Sequence, residues 1–292
     1  MKTSTFCSFV IALVIVLTGC DFVNNVNPPV SPSNPGSTTG NTVITRNVLV
    51  EDYTGHKCGY CPPAGTELKR LYEKYPGKVI PLAVHAGFYA KTNAQYPTNL
   101  QTTEGDAYDL QFGNGAAGNP NGLVNRVGYG TSAFIRQWTS WSSEVAIQLA
   151  RPAIFQIKIN NTFNSASNQL NTAITVKSLA ANTGTYKLVV LLSEDSIIGE
   201  QLDYSKPTGQ QYITNYEFNH VLRGAINSTW GESIFASGAA VNDSVVKSYS
   251  NFTINSGYRP SKCHVVAYVY DAAATSPTYY EVLEANDEKV KP

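Results

Sequence analysis

The 292-residue sequence has only five cysteines, and its charges are few and balanced, 21 basic against 21 acidic. The balance, with no cluster of lysine and arginine, excludes nucleic acid as a partner, because phosphate binding needs a basic face. Five scattered cysteines are too few for the disulfide framework that holds small secreted domains together. There is no internal repeat, which argues against a solenoid or propeller. Beyond one stretch near the N-terminus, no apolar run reaches the roughly 20 residues that a membrane-spanning helix requires.

That one stretch reads as an export signal. Met1-Lys2 is a short basic start, Phe6 to Leu17 is apolar, and Leu17-Thr18-Gly19-Cys20 closes it. This is the layout of a cleaved leader. The last four residues resemble a lipobox, which implies a signal peptide over 1–19 and a lipid bilayer reached through an acylated Cys20. Several acyl chains anchor stably where one does not. Residues 20–42 are rich in Asn, Pro, Ser, Gly and Thr. They cannot bury a core and are expected to form a disordered tether. Export would put the chain in an oxidising compartment.

The remainder falls into two patterns. Over 43–135, strands and helices alternate. Val48–Tyr53 reads as a strand. Pro62–Tyr75 reads as a helix, with proline accepted in its first turn and Leu68, Leu71, Tyr72 and Tyr75 on one face. Pro76-Gly77 stops it. Val79–Ala86 is a second strand, Glu104–Phe112 a short helix and Gly122–Val127 a third strand. Such a series predicts an α/β domain with a mostly parallel sheet. Residues 136–150, with Trp141, Val145 and Leu149, are expected to be a linker helix. Over 151–292, runs such as Ala153–Asn160, Leu170–Leu179, Tyr186–Leu192, Val265–Tyr270 and Tyr279–Leu283 read as strands. They predict an all-β sandwich domain, immunoglobulin-like or related.

Cys58-Gly59-Tyr60-Cys61 falls between the first strand and the first helix. A CxxC pair has three common meanings: half of a zinc site, a structural disulfide, or a redox pair. A structural zinc site takes four ligands, and Cys263-His264 is the only later pair, in the other half. No metal or cofactor is therefore expected. The strand-to-helix position favours the redox meaning. At a helix N-terminus the backbone N–H groups and the dipole stabilise a thiolate on Cys58, with Lys57 and a protonated His56 adding positive charge. Cys61, more buried, would resolve the mixed disulfide. The expected partners are protein thiols or disulfides.

Three further residues carry a resemblance. Pro62 follows the second cysteine, Pro120 stands in Gly118-Asn119-Pro120-Asn121 before a strand, and Asp52 lies six residues before Cys58. With the CxxC pair they resemble the thioredoxin superfamily over about Val48 to Tyr129, so that 43–135 is expected to be a thioredoxin-like domain. The resemblance implies that Pro120 is cis and presents substrate backbone to the disulfide. It also implies that Asp52, or Glu51 if the register differs by one, relays a proton to Cys61. His56, Asn119 and His85 are the expected substrate contacts. Lys57, where thioredoxins carry tryptophan, Asn119 before the proline, and the inserted segment Tyr89–Thr103 depart from the pattern.

A wider set of residues resembles the outer membrane protein 28-related family of Bacteroidetes lipoproteins. It comprises Val48 to His56, CxxC-Pro, Gly118-Asn119-Pro120 with Val124-Asn125-Arg126, Phe218 to Arg223, and Trp230-Gly231. This resemblance implies an outer-membrane, lipid-anchored location. It also implies an alternative role, a non-enzymatic surface binding protein or adhesin whose disulfide is structural. His220 and Arg223 are expected to be a polar anchor between the halves, and Cys263 a buried free thiol.

Overall fold

A computed structural model describes residues 43–291. The leader, Cys20 and the tether over 20–42 lie outside the described residues. β1 (Val48–Thr54) and β2 (Val79–His85) are buried along their whole length. Their unbroken apolar runs suit a sheet covered on both faces. Between them α1 (Pro62–Lys74) buries Ala64, Leu68 and Leu71 on one stripe. It begins on Pro62 and Pro63, and the chain turns at Gly77, whose φ is +68°.

α2 (Gly87–Ala90) is one turn long. α3 (Thr103–Phe112) is capped by Thr102, whose hydroxyl accepts from Gly105 N at 3.0 Å. Gly113 ends it in the left-handed region. α4 (Asn114–Ala117), β3 (Asn121–Val124), β4 (Arg136–Gln137) and α5 (Trp141–Leu149) follow. Then come β5 (Phe155–Asn164), β6 (Gln169–Ser178), β7 (Tyr186–Glu194), β8 (Ile197–Leu202), β9 (Tyr212–Phe218) and β10 (Val221–Ala225). β11 (Glu232–Phe235), β12 (Ser244–Thr253), β13 (Cys263–Asp271) and β14 (Val282–Lys289) complete the chain.

The main sheet has the order β14-β13-β7-β10-β2-β1-β3-β4, with β11 on β7. It is mixed, not mostly parallel: only β1/β2 and β2/β10 run parallel, while β3 is antiparallel to β1. The protein is thus mainly β-structure with few helices. The boundary expected over 136–150 does not separate two sheets. β10 lies beside β2 with Val221 opposite Ala83, and Ala83 N donates to His220 O at 2.8 Å. The free edge of β2 needs hydrogen-bond partners, and the second half supplies them. The described residues form one compact unit. A sandwich does form within the second half, where the three-stranded sheet β12-β6-β5 packs on the main sheet. Phe155, Ile157, Ile174 and Val176 meet Leu188, Val190, Val265 and Ala267 there. The last strand runs Val282–Lys289, later than the Tyr279–Leu283 expected.

Registers place Asp52, Ala83, Val221 and Glu194 in one row across the sheet, on the face covered by α1 and α5. Glu51 points to the opposite face. There α3 and the aromatic rings of Tyr108, Phe112, Tyr268 and Tyr280 close the largest core.

A candidate active site at the Cys58–Cys61 disulfide

β1 ends at Thr54, and the loop 55–60 leads into α1. Cys58 N donates to Gly55 O at 2.9 Å and Cys61 N to Cys58 O at 3.1 Å, folding the loop into consecutive turns. Cys58 and Cys61 are joined as a disulfide. Neither sulfur is offered to zinc, and no group of three or more His, Cys, Asp or Glu side chains among the described residues is placed to hold a metal. Cys61 is the residue that caps α1. Pro62 and Pro63 carry no N–H, so the first turn lacks two of the donors expected to favour a Cys58 thiolate. The helix dipole remains.

Both cysteines are buried, Cys58 to 3% exposure and Cys61 to 2%, while Tyr60 between them is 68% exposed. The cover comes from the second half, which was not expected. Leu202 N donates to His56 O at 2.8 Å, Tyr204 N to Gly59 O at 2.7 Å, and Gln201 Nε2 to Cys58 O at 3.1 Å. A Cβ on Gly59 would stand 2.5 Å from the Tyr204 ring, so only glycine lets that ring sit there. The inserted segment after Tyr89 wraps the other side of the loop. Lys57 N donates to Tyr89 O at 3.0 Å, and Gly55 lies against the Tyr89–Ala90 backbone.

His56 is wholly buried, stacked on Tyr96 and within 3.2 Å of Lys91 O through Nε2. It does not face an incoming substrate, because the inserted segment folds over it. Burial holds its pKa below the ordinary histidine value. The expected substrate contacts Asn119 and His85 are placed differently from each other. The Asn119–Pro120 peptide is cis. Since Tyr53 pairs with Asn121, Pro120 sits beside Thr54, where β1 hands over to the cysteine loop. Asn121 is locked by bonds from its amide to Asn114 O and Gly118 O. Asn119 is half-buried there.

Behind the disulfide lies a cavity of about 320 Å³, whose walls include Cys61, Asp52, His85, Thr66, Gln201 and Tyr216. Asp52 is buried and its Oδ1 has no hydrogen-bond partner among the described residues; the same holds for His85 Nδ1. Burial without a compensating charge pushes the Asp52 carboxyl up to about 7. Burial pushes His85 down to about 3, which keeps its ring neutral. Tyr216, desolvated and near Asp52, is pushed up to about 12.

Glu51 is engaged elsewhere. Arg126 Nε and Nη2 donate to its two carboxylate oxygens, each at 2.7 Å, with both side chains fully buried. Arg126 Nη2 also donates to Tyr268 Oη at 2.9 Å. His220 Nδ1 lies 3.1 Å from Asp195 Oδ1, and Arg223 is ion-paired with Glu194 at 3.1 Å. Cys263 is buried and free, its thiol pushed up to about 12 by burial.

No helix among the described residues is long and apolar enough to cross a membrane. The family described as outer membrane protein Omp28 matches residues 105–292, a span that begins after the disulfide. No curated protein matches. Among solved structures, HBP35 of Porphyromonas gingivalis is similar in fold, with a TM-score of 0.63 and 16% identity over 85% of this chain and 77% of that one. A structural-genomics target from Agrobacterium tumefaciens aligns at a TM-score of 0.48 and 14% identity, over 85% of this chain and 96% of that one.

Proposed function

The chain belongs to the outer membrane protein Omp28 family, and on that premise we propose that it performs thiol–disulfide exchange at Cys58–Cys61. In this reading residues 43–135 are a thioredoxin-like unit, built into a sheet shared with the second half. The protein is held at the outer membrane by lipid on Cys20, with residues 20–42 as its tether.

The observation that carries the reading is the placement of Asp52. An unpaired acid buried in a cavity that also touches Cys61 is costly for stability. A carboxyl near 7 exchanges its proton readily at neutral pH. In the oxidised form, a substrate thiolate attacks Cys58 Sγ and the Cys58–Cys61 bond breaks. Cys61 leaves as a thiolate and takes the Asp52 proton. The second substrate thiolate then attacks the substrate sulfur of the mixed disulfide. That releases Cys58 as a thiolate and the substrate as a disulfide, two electrons having passed to the cysteine pair. The reverse sequence, in which Asp52 takes the proton of Cys61, reduces a substrate disulfide. Pro120, beside Thr54, lines the approach for substrate backbone.

Replacing Cys58 by Ser is expected to abolish exchange with a peptide dithiol, and Cys61→Ser to trap a mixed disulfide on Cys58. Exchange at the native rate in Cys58→Ser contradicts the assignment. A second reading has one observation in its favour, the burial of both sulfurs beneath the second half. It treats the protein as a non-enzymatic surface binding protein or adhesin in which the disulfide pins the loop.

A further inference from the structure

The cavity behind the disulfide holds polar groups that the fold leaves unused. Most of its polar walls are engaged. Thr66 Oγ1 donates to Pro62 O at 3.0 Å, and the Gln201 amide nitrogen donates to Cys58 O and Leu202 O. His220 Nδ1 is turned to Asp195. Two atoms remain, Asp52 Oδ1 and His85 Nδ1, on side chains that are each only 3% exposed. Neither has a hydrogen-bond partner among the described residues, and both residues line the cavity. Such groups cost stability unless something satisfies them. A space of about 320 Å³ has room for a small molecule, not for a water alone.

The chemistry of the walls selects the occupant. Asp52 has no countercharge, and the ring of His85 is neutral, pushed down to about 3 chiefly by burial. With its proton on Nε2, that ring presents a lone pair on Nδ1. Both orphaned atoms then accept hydrogen bonds, and an ammonium group supplies the donors and the missing charge together. The ring of Phe218 stands edge-on to His85 at 5.4 Å and meets Tyr216 at 4.8 Å, so two aromatic rings wall the same cavity. Aromatic faces attract organic cations. Leu68, Ala83 and Phe218 give an apolar wall for a short carbon stem. Lys69 and Glu217 also line the cavity, but both are exposed and opposite in charge, and Lys69 Nζ lies 3.7 Å from Glu73. A divalent metal is a poorer fit. It needs several oxygen or nitrogen ligands, and no group of three His, Cys, Asp or Glu side chains among the described residues is placed to hold one.

We propose that this cavity binds a primary ammonium on a short apolar stem, held by Asp52 Oδ1 and His85 Nδ1 and flanked by Tyr216 and Phe218. The site goes beyond the exchange reading and does not depend on it, because it is present in the oxidised protein. A bound ammonium and a proton compete for Asp52. With its carboxyl pushed up to about 7, Asp52 is ionised in about one molecule in ten at pH 6 and about nine in ten at pH 8. Affinity therefore rises with pH over that window, while His85 stays neutral throughout.

The test titrates the full oxidised chain with n-butylammonium by calorimetry at pH 6 and pH 8, with no thiol present. Binding is expected to be about tenfold tighter at pH 8 than at pH 6. Asp52→Asn is expected to weaken it by about tenfold or more at pH 8 and to remove the pH dependence. Phe218→Leu is expected to weaken it by about threefold and to keep the pH dependence. 1-Butanol, of similar shape without the charge, is expected to bind at least about tenfold more weakly at pH 8. Nα-acetyl-lysine amide is titrated beside them. Its binding extends the site to a lysine side chain, and binding of butylammonium alone assigns it to a free amine; either supports the site. Four results overturn the proposal and leave the exchange reading standing. They are no binding of butylammonium up to roughly 10 mM at pH 8, equal binding of 1-butanol, undiminished binding to Asp52→Asn, and wild-type binding that ignores pH. Failure of the exchange reading is read separately, in the thiol assays of Cys58→Ser.

Discussion

Glu51 and Asp52 are neighbours on β1 with opposite surroundings. Glu51 faces the aromatic core and meets Arg126 through two bonds of 2.7 Å, and the guanidinium lies within 5 Å of the rings of Tyr108, Phe112 and Tyr268. Asp52 faces the cavity behind the disulfide and has no charged partner. The first is a closed pair whose charges satisfy each other; the second is a carboxyl that burial keeps half-protonated near neutral pH. One strand thus separates a paired acid in the core from an acid that faces a cavity without a charged partner. Of the two acids, Asp52 is the one that lines the same cavity as Cys61.

The sharpest way to break this comparison is at Arg126. Arg126→Gln leaves Glu51 buried without a countercharge and empties the space between three rings. It is expected to cost about 3–5 kcal/mol in denaturant unfolding. A loss under about 1 kcal/mol would mean that the pair does not carry the core.

The mirror-image substitution should have the opposite sign. The Asp52 carboxyl is raised in the fold, so the native state holds its proton between about pH 4 and pH 7 while the unfolded chain releases it. Stability therefore falls as pH rises through that window, and Asp52→Asn removes the fall. At pH 8 the variant is expected to be more stable by on the order of 3 kcal/mol, while exchange slows and loses its dependence on a group near 7. Equal stability of the two proteins at pH 8 would show that Asp52 is paired in solution.

His85 sharpens the same comparison with a smaller effect. Its ring is pushed to about 3, first by burial and then by the nearby His56 and Arg223. Below about 6.5 the unfolded chain binds a proton that the native state refuses, so stability is lost as pH falls from there toward 3. His85→Gln is expected to change stability by roughly 1 kcal/mol or less at pH 7.5. Below pH 6.5 it unmasks the opposing slope of Asp52. Urea titrations of the variant at pH 4.5, 5.5 and 6.5 show this as stability declining with pH; a rise would contradict the assignment.

Much of the first half was legible because its signals are local. Apolar runs mark β1 and β2, the spacing of Ala64, Leu68 and Leu71 marks α1, and the prolines mark its start. The CxxC pair, Asp52 and the cis bond at Pro120 were expected from short motifs, and the structure brings Cys61 and Asp52 to one cavity wall. What the motifs did not contain was the cover. β10 joins β2 through one bridge, Val221 to Ala83, between residues far apart in the chain. Such pairing leaves no periodic trace. Gln201 and Tyr204 reach the cysteine loop for the same reason, from a segment with no recognisable motif. The single local hint was Gly59, a glycine inside the CxxC where another backbone or ring approaches closely. His56 was misplaced because its neighbours Tyr96 and Lys91 come from the inserted segment, whose path over the loop is set by tertiary packing.

The account stands most directly on the reduction potential of Cys58–Cys61, measured in the full chain against a glutathione or dithiothreitol series. It predicts a value between roughly −270 and −120 mV, in the range of exchange-active proteins. A value below about −300 mV would contradict it and mark the disulfide as a structural staple.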